Sequence, residues 1–96
     1  MVVGTLMVAL RIPGAETLKD KRKVIRGMVE SMRRRFGVSA AEVEDANLSG
    51  NATLGVAYVS GSVVEVESTL TAVLEFIESH PEVEVFDLVR DVERRV

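Results

Sequence analysis

Two stretches of this chain carry apolar residues on a helical period, and each is followed and preceded by segments with strand character. That alternation limits the architectures open to it. In the first stretch Leu18, Ile25, Met28, Val29, Met32 and Phe36 recur on one side of a helix. Thr17 stands at the N-cap, Asp20 holds the favoured acidic position, and Gly37 is the expected left-handed stop. Arg33, Arg34 and Arg35 fill the last turn, where cations meet unpaired carbonyls. In the second stretch Val63, Val66, Leu70, Val73, Leu74 and Ile77 make the stripe. Ser62 and Glu65 match a capping box there, and Pro81 closes the segment.

Val2 to Ile12 reads as a strand with Leu6, Val8, Leu10 and Ile12 on one side and Val3, Thr5, Met7, Ala9 and Arg11 on the other. Both sides are largely apolar, which predicts a central strand, broken by Pro13-Gly14. Val38 to Glu44 is a short strand, Asn47 to Asn51 a turn or bulged hairpin connection, and Thr53 to Ser60 a third strand. Its small residues Gly55 and Ala57 predict close approach by another layer or another chain. Val83 to Val92 is the last strand, with Val83, Val85 and Val89 opposite Phe86, Leu88 and Val92.

The order strand, helix, strand, strand, helix, strand, joined by right-handed crossovers, predicts an α+β, ferredoxin-like βαββαβ sandwich. A four-stranded antiparallel sheet would carry both helices on one face. Leu10, Ile25, Met28, Leu54, Val56, Leu70 and Leu74 would share its core. Ninety-six residues suffice for one core and not two, so a single domain over residues 1–96 is expected. The second sheet face has no helix left to cover it, yet receives Val3, Met7, Ala57 and Val59. Those four residues are a candidate homodimer face; the alternative is a modest exposed apolar patch.

Charge is strongly segregated. Between Arg11 and Gly37 nine basic residues face only Glu16, Asp20 and Glu30, whereas Val38 to Val89 holds ten acids and no Lys or Arg. The net charge of -3 conceals this asymmetry, which bears on partners and not on fold. At 100° per residue Lys19, Arg22, Arg26 and Arg33 form a row beside the apolar stripe, widened by Lys23 and Arg34 and interrupted by Glu30. Such a row suits a phosphate backbone or an acidic partner. It equally suits a solvated face whose charges meet Glu67 and Glu75 of the second helix. Lys21 falls inside the apolar arc, between Leu18 and Ile25. It either snorkels to the rim of the helix or aims a cation at an anion near the helix N-terminus.

Catalysis is not expected. Gly14, Gly27 and Gly37 are isolated and make no phosphate loop, and no serine sits in a nucleophile elbow. With no Cys and one His, His80, neither a thiolate nor a His-based metal cluster is available, and no cofactor is expected. His80 precedes Pro81 at a helix end and reads as a turn residue. The apolar segment Met1 to Leu10 is too short to span a membrane and lacks a basic leader, so a cytoplasmic, membrane-free protein is expected. One Tyr and three Phe provide no aromatic pair of the kind that stacks single-stranded bases.

Arg11-Ile12-Pro13-Gly14-Ala15, Leu18-Lys19-Asp20-Lys21-Arg22, the exit from Arg33 to Gly37 and the strand from Val38 to Glu44 together resemble the YlxP-like family of small bacterial proteins. The resemblance covers nearly the whole chain. It implies a ferredoxin-like fold, a cytoplasmic bacterial setting and, because members often lie in gene clusters with translation and ribosome-maturation factors, an RNA or ribosomal partner. It implies no chemistry. The expected function is therefore non-catalytic RNA or ribosome binding through the first helix, with Lys19, Lys21, Arg22, Arg26 and Arg33 as candidate contacts. A ligand-sensing or protein-interaction module of the same shape is the alternative.

Overall fold

The first helix forms where its signals predict. Thr17 Oγ1 accepts a hydrogen bond from the Asp20 amide at 3.1 Å, and Gly37 closes the other end at φ 65°. The computed structural model describes residues 1–44 and 50–96. Their order is β1 (Val2–Arg11), α1 (Leu18–Phe36), β2 (Ser39–Glu44), β3 (Asn51–Ser60), α2 (Val63–Glu78) and β4 (Glu84–Arg94). The turn expected at Asn47 to Asn51 falls largely outside the described residues. Gly50 sits at φ 97°, and its carbonyl accepts from the Ile12 amide.

The strands lie in the order β2-β3-β1-β4, every neighbouring pair antiparallel, which is the ferredoxin-like arrangement. The doubly apolar β1 is indeed central. Val2, Leu6, Val8 and Leu10 point into the core and meet Leu54 and Val56 of β3, with Ile25, Met28 and Met32 of α1 and Val66, Leu70 and Val73 of α2 above them. Leu74, expected among them, is only partly buried at the core's margin. Leu18, at the first turn of α1, is exposed.

Two glycines show how closely the layers pack. A Cβ on Gly4 would collide with Val66 Cγ1 and lie 2.8 Å from Leu70 Cδ1, so α2 rests directly on the β1 backbone. On the other face, a Cβ on Gly55 would lie 2.7 Å from Val43 Cγ1. The close approach expected at Gly55 therefore comes from the neighbouring strand's own side chain.

The last strand departs from the expected alternation. Leu10 pairs with Val85 but Ala9 pairs with Asp87, leaving Phe86 as an extra residue in a β-bulge. Beyond the bulge the phase reverses. Leu88, Arg90 and Val92 oppose the core-facing Val8, Leu6 and Gly4, while Asp87, Val89 and Asp91 join the open face. Val89 and Val85 are thus on opposite sides of the sheet, contrary to the period-two reading.

The second helix is capped by Ser62, whose Oγ accepts from the Glu65 amide at 3.2 Å. The reciprocal half of the capping box is replaced. The Ser62 amide donates to Ser60 Oγ, and the Glu65 carboxylate accepts instead from Tyr58 and Ser60. Phe36 and Phe76 meet edge to face at 5.8 Å between the helices, with the Arg35 guanidinium over both rings.

Candidate nucleic-acid interface on the first helix

Lys19, Arg22 and Arg26 are all exposed on one side of α1. Among the described residues none of the three has a carboxylate within ion-pair distance. The acids of α2 expected to neutralise them are engaged elsewhere or remain apart: Glu67 pairs with Arg90 of β4 at 3.2 Å. Lys23 lies at the opposite border of the row, beside an open cleft. The result is a helix face of unneutralised cations, raised on the helical layer away from the acidic strand β4.

Arg33 shares the angular position of that row but does a different job. Its Nε and Nη2 donate to the Ala40 carbonyl at 3.0 and 2.6 Å. This clamps the end of α1 onto β2 and shows that the basic row runs along the β2 edge of the sandwich. A charge-assisted bond of this kind holds the guanidinium in place.

Lys21 does not snorkel. Its side chain is 1% exposed, with Nζ 3.6 Å from Glu42 Oε2 between α1 and β2. Position alone put Lys21 in the apolar arc; Glu42, on the inward face of β2, supplies the charge that makes burial tolerable. Its ammonium therefore stands inside the fold and apart from the exposed row of Lys19, Arg22 and Arg26. Sequence reasoning did not pair the two, because β2 has too weak an alternation to show which of its acids turns inward.

The loop after β1, the start of α1 and the turn after α2 surround an open cleft of about 790 Å³. Asp20, Lys23, His80 and Glu82 border it over a floor that includes Ile12, Val24 and Met28. His80 is a turn residue, as expected: its amide donates to the Ile77 carbonyl and its Nδ1 accepts from the Glu82 amide at 3.4 Å. Near the other end of the sheet, Ser60 and Tyr58 hold the Glu65 carboxyl below its ordinary range through their hydrogen bonds. The bond to Glu65 raises the Tyr58 phenol above its own.

Of the candidate dimer residues, Met7 and Val59 are well exposed on the open sheet face, while Val3 and Ala57 are half-buried. The face also carries carboxylates that the sequence pattern did not place there, because the β4 bulge puts Asp87 and Asp91 on it.

Residues 3–90 match the family described as proteins of unknown function, DUF503. The chain belongs to this family. A relative in Bacillus subtilis (strain 168), described as uncharacterized protein YlxP, is 37% identical over 70 residues, which span 73% of this chain and 76% of the relative. The YlxP-like resemblance is thereby shown. Among solved structures, a de novo designed protein with ferredoxin fold, LFR1 1, superposes over 100% of this chain and 88% of its own with a TM-score of 0.61. At 14% identity that likeness is one of fold alone. Among the described residues of this DUF503 chain, no helix is long and apolar enough to cross a membrane.

Proposed function

We propose that this protein is a non-catalytic, cytoplasmic RNA-binding protein that lays α1 along a phosphate backbone, on free RNA or on the RNA surface of the ribosome. The supporting observation is the exposed set Lys19, Arg22 and Arg26, which no described carboxylate neutralises. At about 1.5 Å rise per residue the three span roughly 10 Å of helix, enough to meet consecutive phosphates. Lys23 and Arg34 both widen the field on the side of the row away from β2. The acids of β4 and α2 repel a polyanion from the remaining surface and so orient the approach. The open sheet face is a poor alternative platform for bases, since its exposed aromatic ring, Phe86, is already covered by Arg11 at 5.5 Å and stands among carboxylates.

Fluorescence anisotropy with a single-stranded RNA of about twenty nucleotides, at stepped salt, tests the reading. Three phosphate contacts give a slope of about -2 in log affinity against log salt. The double substitution Arg22→Glu and Arg26→Glu should remove binding and leave the circular dichroism unchanged. A folded protein that binds neither RNA nor ribosomes at low salt would end this proposal.

One observation favours a second reading, ligand sensing: the cleft bordered by Asp20, Lys23, His80 and Glu82 offers both signs of charge above an apolar floor. A metabolite that raises the melting temperature, with RNA having no effect, would support that reading over the first.

A further inference from the structure

The open face of the sheet has a layout distinct from that of α1. Its middle is apolar: Met7 of β1, Ala57 of β3 and Val89 of β4 line a shallow groove that Val43 of β2 closes at one side. Met7, Val43 and Val89 are 45, 52 and 59% exposed, a substantial apolar surface for a chain of this size. Both borders of the groove are acidic. Asp87 and Asp91 flank Val89 along β4, in register with Ala9 and Thr5 of β1. Glu44 stands on the β2 side. All three carboxylates are exposed. The cations near this face lie at its ends and are engaged, Arg11 over the Phe86 ring and Arg95 with Glu93 at 3.0 Å.

From these features we infer that the open sheet face is a docking groove for a basic amphipathic helix of another protein, one with an apolar stripe flanked on both sides by Lys or Arg. The dimensions agree. Three interstrand spacings separate β4 from β2, about 14 Å. A helix with its side chains is about 10–12 Å across, so its stripe would lie on Met7 and Val89 while its flanks met Asp91 and Glu44. Charge decides among occupants. A polyanion is repelled by both rims. A second copy of the chain is disfavoured in either symmetric arrangement, because a twofold face-to-face contact is self-complementary. With the axis along the strands, Asp87 and Asp91 of one copy meet Glu44 of the other; with the axis across them, the two β4 acidic borders meet each other. A helix with basic flanks alone satisfies floor and rims together.

The test uses the whole protein and a synthetic 18-residue peptide with Leu on one helical face and Lys on both flanks. Two control peptides carry Glu in place of Lys, or the same Leu and Lys in scrambled order. Titration followed by amide shifts should show the Lys-flanked peptide perturbing Met7, Ala57 and Val89 and sparing α1. Asp87→Asn with Asp91→Asn should weaken binding about tenfold, because rim carboxylates supply the electrostatic part of the contact. Arg22→Glu with Arg26→Glu should leave peptide binding intact, which separates this groove from the RNA reading of α1. The inference fails if the scrambled or Glu-flanked peptide binds equally well, if the perturbed amides lie elsewhere, or if the Asn substitutions have no effect. It also fails if the protein sediments as a dimer that Val89→Arg dissociates, which would assign the face to a second copy.

Discussion

Lys21 Nζ lies 3.6 Å from Glu42 Oε2, and the ammonium is closed off from water between α1 and β2. Among the described residues Glu42 Oε2 is itself buried and accepts no hydrogen bond, so the lysine's charge is what stabilises that oxygen. Lys21→Met should therefore cost about 3 kcal/mol, at the lower end for a broken buried pair because the Glu42 side chain keeps 25% of its surface in water. Adding Glu42→Leu should restore the part of the loss that comes from leaving the Glu42 carboxylate without its cation. Urea denaturation measures both. RNA affinity of the folded Lys21→Met protein should equal that of the unmodified chain, because an interior ammonium is not among the phosphate contacts.

Arg33 and Arg22 provide a matched comparison on one helix. Arg33→Ala removes the two donors into the Ala40 carbonyl and should lower stability by about 1.5 kcal/mol, the size of a charge-assisted hydrogen bond. Arg22→Ala touches an exposed side chain without a described carboxylate partner and should change stability by less than about 0.5 kcal/mol. Equal losses from the two, in thermal unfolding, would remove the distinction between clamp and contact.

Two Gly→Ala substitutions should move stability in opposite directions. At Gly4 the new methyl would meet Val66 and Leu70, so α2 must shift away from β1, at a cost of about 1–3 kcal/mol. At Gly27, within α1, nothing lies within 4 Å of the new methyl. Alanine there should gain about 0.5–1 kcal/mol through helix propensity alone. Chemical denaturation of the two variants side by side checks the prediction.

The hydrogen bonds around Glu65 make stability depend on pH at both extremes. Ser60 and Tyr58 stabilise the ionised carboxylate, so this contribution is present above the ordinary carboxylate range and is lost as pH falls through the lowered value. Tyr58 is held protonated by its bond to Glu65, by partial burial and by the carboxylate charge. Its contribution is present below the ordinary value of 10.0 and is lost as pH rises through the raised one. Tyr58 is the chain's one tyrosine, so phenolate absorbance reports on it directly. Glu65→Ala should bring that titration back toward 10.0 and flatten the acid limb of the stability curve; an unchanged titration would contradict the assigned cause.

Helix ends, strand order and core were legible from sequence because each rests on local chemistry: Thr17 and Gly37 bound α1, and the doubly apolar β1 could only be central. What the sequence did not disclose depends on contacts between distant segments. Lys21 looked like a rim lysine because nothing local reveals that Glu42 faces it across the β2 layer. Arg33 looked like a member of the cationic row because its acceptor is a backbone carbonyl, which leaves no mark on the side-chain pattern. The small Gly55 suggested an outside visitor, whereas Val43 in the adjacent strand fills the space. Glu67, expected to face α1, turns to Arg90 because the phase of β4 is not the one its alternation suggests.

That phase has a consequence for the molecule's electrical character. Were Phe86 paired in regular register and not bulged, the alternation from Val85 would carry Asp87, Val89 and Asp91 inward under α2 and turn Leu88, Arg90 and Val92 outward. The exposed side of the sheet would then gain an arginine and lose two aspartates. The bulge at Phe86 thus sets the sign of one whole side of this protein, and with it the kind of molecule that side can attract.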